Sequence, residues 1–270
     1  MKIRGGFTVI AEERRLKILE ILEARKTVSV KELKETFGVS EDTIRQDLKI
    51  LDEQKLLRRI YGGAVRVKKG SVEIPFSLRE ITNREVKEAI GKEGARLIED
   101  GDSLIFDAST TALQVACNID PAKRVTILTT SLDICISLAN NPNVSVIATG
   151  GTLHPLSMSF VGPQAEGAIQ NYLADCLFLG AKAISLEQKA IADAFELEAH
   201  LKKVMIRSAR KVIVVAESRK FEEQAFFKVA DLNAVHVIVT DQHVNPQIVN
   251  ILEEMGIEVR IAHVKGGERK

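Results

Sequence analysis

Along residues 11–25, "AEERRLKILEILEAR", the apolar positions Ile18, Leu19 and Leu22 share one helical face, and Leu16 and Ile21 widen the stripe. The spacing predicts a helix that buries that face. A second, shorter helix is predicted after Ser29, because Glu32 stands three residues on. Such a pair forms a capping box, in which each side chain satisfies the other's free backbone N–H. Leu33 and Phe37 are its apolar contacts, and Gly38 ends it, since glycine enters the left-handed conformation without strain. Val39 packs, Ser40 caps a third helix, and Ile44, Leu48 and Leu51 fall at i, i+4 and i+7 toward the same small core. At about 100° per residue, Gln46 and Lys49 then point outward, with Thr43 and Arg45 on the flanks. Two short helices joined by a glycine-containing turn predict a helix-turn-helix.

The next segment, "LLRRIYGGAVRV", changes period. Leu57, Ile60, Val65 and Val67 are strand-like, and Gly62-Gly63 predicts a hairpin turn that carries Arg58, Arg59 and Arg66 on a short ribbon. A polar connector follows at 66–75, "RVKKGSVEIP", and the boundary between a domain 1–69 and a domain 75–270 is placed there. Residues 83–101, "NREVKEAIGKEGARLIEDG", predict an amphipathic helix ending at Gly101. Beyond it "SLIFDA", "VTILTT", "VSVIAT", "DCLFLGA", "KVIVVA" and "HVIVT" are short apolar runs, separated mostly by helical stretches such as 110–118, 132–140 and 196–209. Buried parallel strands with crossover helices give this alternation, so the second domain is expected to be an open, mostly parallel α/β sheet.

Charge gives the outward face of the third helix a partner. The net charge of +1 hides an asymmetry, with 17 Lys and Arg against 11 Asp and Glu in residues 1–69, and 21 against 26 in the remainder. A basic arm on an acidic body suits a polyanion. Arg45 can pair with guanine and Gln46 with adenine in a major groove, while Lys49 and Thr43 suit phosphates. A wing bearing Arg58 and Arg59 would hold the backbone or enter the minor groove. Ser40 and Tyr61 complete the expected DNA-contacting set.

Other classes recede. No apolar run approaches the roughly 20 residues of a membrane span, and the first residues are too acidic for a signal peptide. Cys117, Cys135 and Cys176 are widely spaced without Cys/His metal spacing, which suggests a reduced cytosolic protein, no metal, and buried apolar roles for all three. Neither G-x-G-x-x-G nor a P-loop occurs, so no cofactor is expected.

In open α/β sheets ligands collect beyond the C-terminal strand ends, near helix N-termini. "FDASTTALQVA" places Ser109, Thr110 and Thr111 there, with hydroxyls and free N–H groups that suit a phosphate. "ILTTSLDI" repeats the arrangement with Thr129, Thr130 and Ser131, and "IATGGTL" supplies Gly150-Gly151, where a backbone can approach a ligand. Lys202 and Lys220 are candidates to neutralise the phosphate.

Residues 14–65, "RRLKILEILEARKTVSVKELKETFGVSEDTIRQDLKILDEQKLLRRIYGGAV", resemble the signature of the DeoR family of bacterial transcriptional regulators. "DGDSLIFDASTTALQVA", "TILTTSLDI", "ATGGTL", "SFVGPQAE", "LFLGA" and "EAHLKKVMIRSARKVIVVAESRKF" resemble that family's sensor domain. The resemblance implies a fold related to ribose-5-phosphate isomerase and glucosamine-6-phosphate deaminase, used to sense a phosphorylated sugar. It assigns Asp107, Ser109, Thr110 and Thr111 to a first phosphate loop and Thr129, Thr130 and Ser131 to a second. Gly150 and Gly151 match the glycine pair, Glu198 and Lys202 the acid and base of an "EAxxK" helix, and Lys220 the lysine after a late strand. The chain departs from the family pattern at Ser109, Thr130 and Ala192, where Gly, Asn and Thr are usual.

Two functions follow. One is a DNA-binding regulator, a repressor in most of the family, controlled by a phosphorylated metabolite and assembled as a homodimer or homotetramer on paired operator half-sites. The other is a sugar-phosphate isomerase or deaminase with an accessory DNA-binding domain. It needs a tuned base, for which Asp107, Glu198, Glu217 and His154 are candidates. None comes with a visible acid/base pairing, and His154 reads as a loop residue, so regulation is favoured.

Overall fold

In a computed structural model of the chain, residues 5–67 and 74–264 are described. The chain forms two compact units, Met1–Thr82 and Asn83–Lys270. Most of the connector, 68–73, lies outside the described residues, and the division falls later than the predicted 69–75. The reason is a short helix at 76–81 whose Leu78 joins the core of the first unit, with Ile74 and Ile81 packed against it.

The first unit runs α1 (Gly5–Arg25), β1 (Thr27–Ser29), α2 (Val30–Phe37), α3 (Glu41–Glu53), β2 (Leu57–Ile60), β3 (Gly63–Arg66) and α4 (Phe76–Ile81). Ile18, Leu22, Leu33, Ile44, Leu48 and Leu51 interlock and are almost wholly buried. Each such side chain contributes about 1.5–3 kcal/mol by leaving water. Gly38 takes φ +65° at the end of α2, as its position requires. The capping box is half formed: Ser29 Oγ accepts from Glu32 N, but the Glu32 carboxylate accepts instead from Arg25. An unpredicted strand, β1, pairs with β3, so the wing is a three-stranded sheet in the order β1-β3-β2. Its turn needs both glycines. Gly62 has φ +77°, and a Cβ on Gly63 would lie 2.0 Å from the Val28 carbonyl oxygen.

The second unit continues with α5 (Arg84–Ala95), β4 (Ser103–Phe106), α6 (Thr110–Cys117), β5 (Val125–Thr129), α7 (Leu132–Leu138), β6 (Val144–Ala148), β7 (Thr152–His154), β8 (Ser159–Val161) and α8 (Pro163–Ile169). After these come β9 (Ala174–Gly180), β10 (Ala183–Ser185), β11 (Ala190–Asp193), α9 (Glu196–Arg207), β12 (Ala209–Val215), β13 (Phe227–Asp231), β14 (Val237–Asp241), α10 (Pro246–Glu254) and β15 (Glu258–Ala262). Seven strands form one parallel sheet in the order β15-β14-β12-β9-β4-β5-β6. All six predicted runs are in it, and β15 is added. The hairpin β7–β8 and the antiparallel set β10-β11-β13 were not foreseen, because their strands are three to five residues long and the β11–β13 pairing is non-local.

The helix predicted for 83–101 stops at Ala95. Arg96, Leu97 and Ile98 instead donate to carbonyls three residues back, a tightened turn that buries Ile98. Cys176 is buried as expected, Cys135 is half-buried and Cys117 is exposed, because it lies on the outer side of α6. Strand order decides where ligands can sit. From β4 the chain winds through β5 to β6, then returns to β9 on the other side of β4 and winds away through β12, β14 and β15. Right-handed crossovers put the helices of the two halves on opposite faces, which opens a crevice at the C-terminal ends of β4 and β9.

Candidate functional sites

In the first unit the polar face of α3 is held outward by its own core. Asp47, between that face and the apolar stripe, is buried and accepts from Arg14 Nε at 2.5 Å and Arg15 Nε at 3.0 Å. This double ion pair fixes α3 to α1, and no periodicity argument reveals it. Arg45, Gln46 and Lys49 are exposed, with Arg45 only lightly tethered to Glu41 and Lys49 to Glu53. Ser40 caps α3 by accepting from Thr43 N, and its hydroxyl also meets that of Thr43 at 2.9 Å. On the wing, Arg58 and Arg59 are exposed and Tyr61 stands fully in solvent at the tip. Together these residues present basic and hydrogen-bonding groups on a helix and an adjacent ribbon.

In the second unit the crevice between β4 and β9 is tied by one lysine. Lys202, on α9, donates to the Gly180 carbonyl at 2.9 Å and to Asp193 Oδ2 at 2.6 Å, and lies 3.2 Å from Asp107 Oδ2. Burial opposes its charge, but Asp193 and Asp107 hold the ammonium above the usual lysine range. Burial likewise opposes ionisation of Asp193, and Lys202 keeps that carboxyl below its ordinary value. The ammonium is engaged by two hydrogen bonds and a second carboxylate, so it does not offer the bare charge expected for a phosphate. It holds the β4 loop, the end of β9 and the end of β11 in register. Asp193 was missed by sequence reasoning; an acid shortly before the "EAHLK" helix was the only sign of it.

Asp107 completes this frame by accepting from Ser109 N at 3.1 Å and Gly180 N at 2.9 Å. Three expected ligand hydroxyls already have backbone partners, although only Thr129 uses its hydrogen. Ser109 caps α6 through Ala112 N, Ser131 caps α7 through Ile134 N, and Thr129 donates to the Phe106 carbonyl. Among the described residues the hydroxyls of Thr110, Thr111 and Thr130 and the first-turn N–H groups of Thr110 and Thr111 stay unclaimed, and Ser109 and Ser131, which only accept, keep their O–H groups to donate. Gly150 and Gly151 have φ +67° and +110°. A Cβ on Gly151 would lie 2.8 Å from the Val161 carbonyl oxygen, so its close approach is to β8 of the same chain.

Four other residues singled out in the sequence have partners of their own. Glu198 accepts from Ser159 Oγ at 2.9 Å, and a run of hydrogen bonds continues through Ser157 to His154 Nδ1. His154 also stacks on Phe195 at 4.3 Å, so it is more than a loop residue. Lys220 is not brought to Lys202; it meets Glu223 at 2.9 Å in the turn after β12. Glu217 accepts from Asn83 Nδ2 at 2.6 Å and from two nitrogens of Arg219. Burial works against its charge, yet Arg219 and Asn83 hold its carboxyl below the usual glutamate range, the reverse of a base tuned toward neutrality.

Comparison with known proteins follows the same division. Residues 14–70 match the DeoR-like helix-turn-helix domain, and residues 82–242 match the DeoR C-terminal sensor domain. An uncharacterized HTH-type transcriptional regulator, YulB of Bacillus subtilis, is 39% identical over 251 residues, covering 93% of this chain and 96% of that protein. A putative aga operon transcriptional repressor of Escherichia coli O157:H7 is 34% identical over 249 residues, covering 92% of each. Among solved structures, ribose 5-phosphate isomerase A from Methanocaldococcus jannaschii aligns over 52% of this chain and 55% of its own, with 14% identity and a TM-score of 0.39. That superposition is too partial to define the fold, which rests on the seven-stranded sheet itself. Among the described residues no helix is long and apolar enough to cross a membrane. With both of its units matched in order, the chain belongs to the DeoR family and is a DNA-binding transcriptional regulator, not an enzyme.

Proposed function

We propose that this regulator represses a carbohydrate-metabolism operon, acting in the cytoplasm as a homodimer or homotetramer on paired half-sites, and that a phosphorylated sugar sets its operator affinity. Arg45 and Gln46 read base edges. Thr43, Lys49, Arg58 and Arg59 take phosphates, and Ser40 and Tyr61 flank them. The observation that carries the effector reading is the set of unclaimed groups at Thr110, Thr111 and Thr130. They lie at the strand ends beside the switch point, on a frame that Lys202, Asp107 and Asp193 already hold in place. Two free N–H groups at a helix start, with three hydroxyls, suit a phosphate dianion. Glu198, through Ser159, supports the hairpin beside the second loop.

The test pairs operator binding with ligand binding. Replacing Arg45 or Gln46 by Ala is expected to weaken operator binding by about 1–3 kcal/mol and relax base preference, while Arg58→Ala lowers the salt dependence by about one ion. Thr110→Val is expected to weaken binding of the sugar phosphate but not of the operator. Reciprocity adds a stricter demand: saturating operator must change effector affinity by the factor with which effector changes operator affinity. Equal affinity for a sugar and its phosphate ester would sink the effector reading.

A further inference from the structure

A basic cluster stands at the same edge of the sheet, one strand further along. Lys182 follows Gly180, the last residue of β9, by two positions. Lys220 lies in the 3-10 turn Ser218–Phe221 that follows β12, the neighbouring strand. Both ammonium groups meet a single carboxylate: Lys182 Nζ is 2.8 Å from Glu223 Oε2 and Lys220 Nζ is 2.9 Å from Oε1. Arg219 also reaches Oε1 at 3.3 Å, although it is chiefly engaged with Glu217. Asp241, the last residue of the next strand, β14, is occupied by the N–H and hydroxyl of Ser218 and the N–H of His243. Three cations therefore share Glu223, and two of them have no other carboxylate among their described partners.

The charges record this shortage. Burial, then Lys182 and Arg219, push the Lys220 ammonium down to about 8 even though Glu223 touches it. For Glu223, burial opposes ionisation, but Lys220 and Lys182 hold the carboxyl at about 2. The Lys220 and Lys182 side chains retain 13% and 30% of their exposure, so a ligand can reach both. An exposed surface pair would show neither the desolvation nor the imbalance.

We infer that Lys182 and Lys220 form a second anion-binding position, so that the effector carries two anionic groups, the second a phosphate or a carboxylate. The inference rests on the sugar-phosphate reading and narrows its ligand class. The ends of β4 and β12 are two strand spacings apart, about 10 Å. A five- or six-carbon chain substituted at both ends reaches across that distance.

Calorimetry on the full-length protein tests it with a panel of pentose and hexose monophosphates, the matching bisphosphates, and phosphorylated sugar acids such as 6-phosphogluconate. At least one doubly anionic probe is expected to bind ten-fold or more tightly than its monophosphate counterpart. Lys182→Met removes that advantage, Lys182→Arg keeps it, and Lys228→Met, a surface control, keeps it. The bisphosphate and sugar-acid arms decide which second group is taken. Equal binding of singly and doubly anionic probes, or an advantage that survives Lys182→Met, overturns the inference while the sugar-phosphate reading stands. If no phosphorylated probe binds, the parent reading fails and this one falls with it.

Discussion

The two units solve the same electrostatic problem in opposite senses. In the DNA-binding unit one buried carboxylate, Asp47, sits between two arginines whose side chains keep 12% and 21% of their exposure. In the sensor unit one buried ammonium, Lys202, sits between two carboxylates, and every member keeps less than a tenth. On the proposed function, the difference follows what each unit has to present. A helix that reads a duplex must carry its polar groups outside, so only the anchor behind it is buried. A crevice that encloses a small anion needs loops locked from within, and a sealed ion network does that at a desolvation cost.

That contrast yields the largest expected effect. Lys202→Met leaves Asp107 and Asp193 buried without their cation and should destabilise the full-length protein by about 3–5 kcal/mol near neutral pH. The sign with pH is fixed. Asp193 titrates below its ordinary value in the native state, so its contribution is present above the unfolded pKa and is lost as pH falls. The deficit of Lys202→Met measured by urea unfolding should therefore shrink on acidification. A constant deficit would mean that lost packing, not charge, was responsible.

Asp47→Asn should cost less, about 1.5–3 kcal/mol, because Arg14 and Arg15 can turn back to water. Urea unfolding of the same series compares the two, and an equal or greater loss than for Lys202→Met would break the contrast between a sealed and a vented ion network. Gly63→Ala, in the same unit as Asp47, should cost about as much as Asp47→Asn or slightly less. Its methyl would run into the Val28 carbonyl and separate β1 from β3, at about 1–3 kcal/mol by thermal melting.

A pH-dependent effect comes from Lys220, the partly compensated cation. Its pKa of about 8 lies below the unfolded lysine value, so between these two pH values the unfolded chain binds more protons and stability rises with pH. The rise reports Lys220 as faced by Lys182 from the loop after β9 and by Arg219 and Glu223 from its own turn. Subtracting the pH profile of Lys220→Met from that of the wild type isolates it. A flat difference from pH 8 to 10 would show that the ammonium is better compensated than its neighbours imply.

Much of this protein was legible in residue order. Ser40 and Gly38 bound α3 and α2, the i, i+4, i+7 set of Ile44, Leu48 and Leu51 aims one face inward, and Gly62-Gly63 turns the wing. Six of the seven sheet strands declare themselves as short apolar runs, most of them rich in β-branched residues. These features depend on groups a few residues apart, so spacing alone specifies them. The sites did not follow so simply. Ser109, Thr129 and Ser131 carry the right chemistry, but caps orient the two serine hydroxyls and the Phe106 carbonyl takes the hydrogen of Thr129. Lys202 has the right charge, but Asp107 and Asp193 reach it only because strand order places β4 and β9 side by side and the chain returns through β11. Asp47 meets Arg14 and Arg15 across more than thirty residues. Sequence determined which elements form because helix, strand and turn energies are local. Tertiary structure decided which polar groups remain available, because a buried charge or hydroxyl takes whichever partner the packing brings within hydrogen-bond reach.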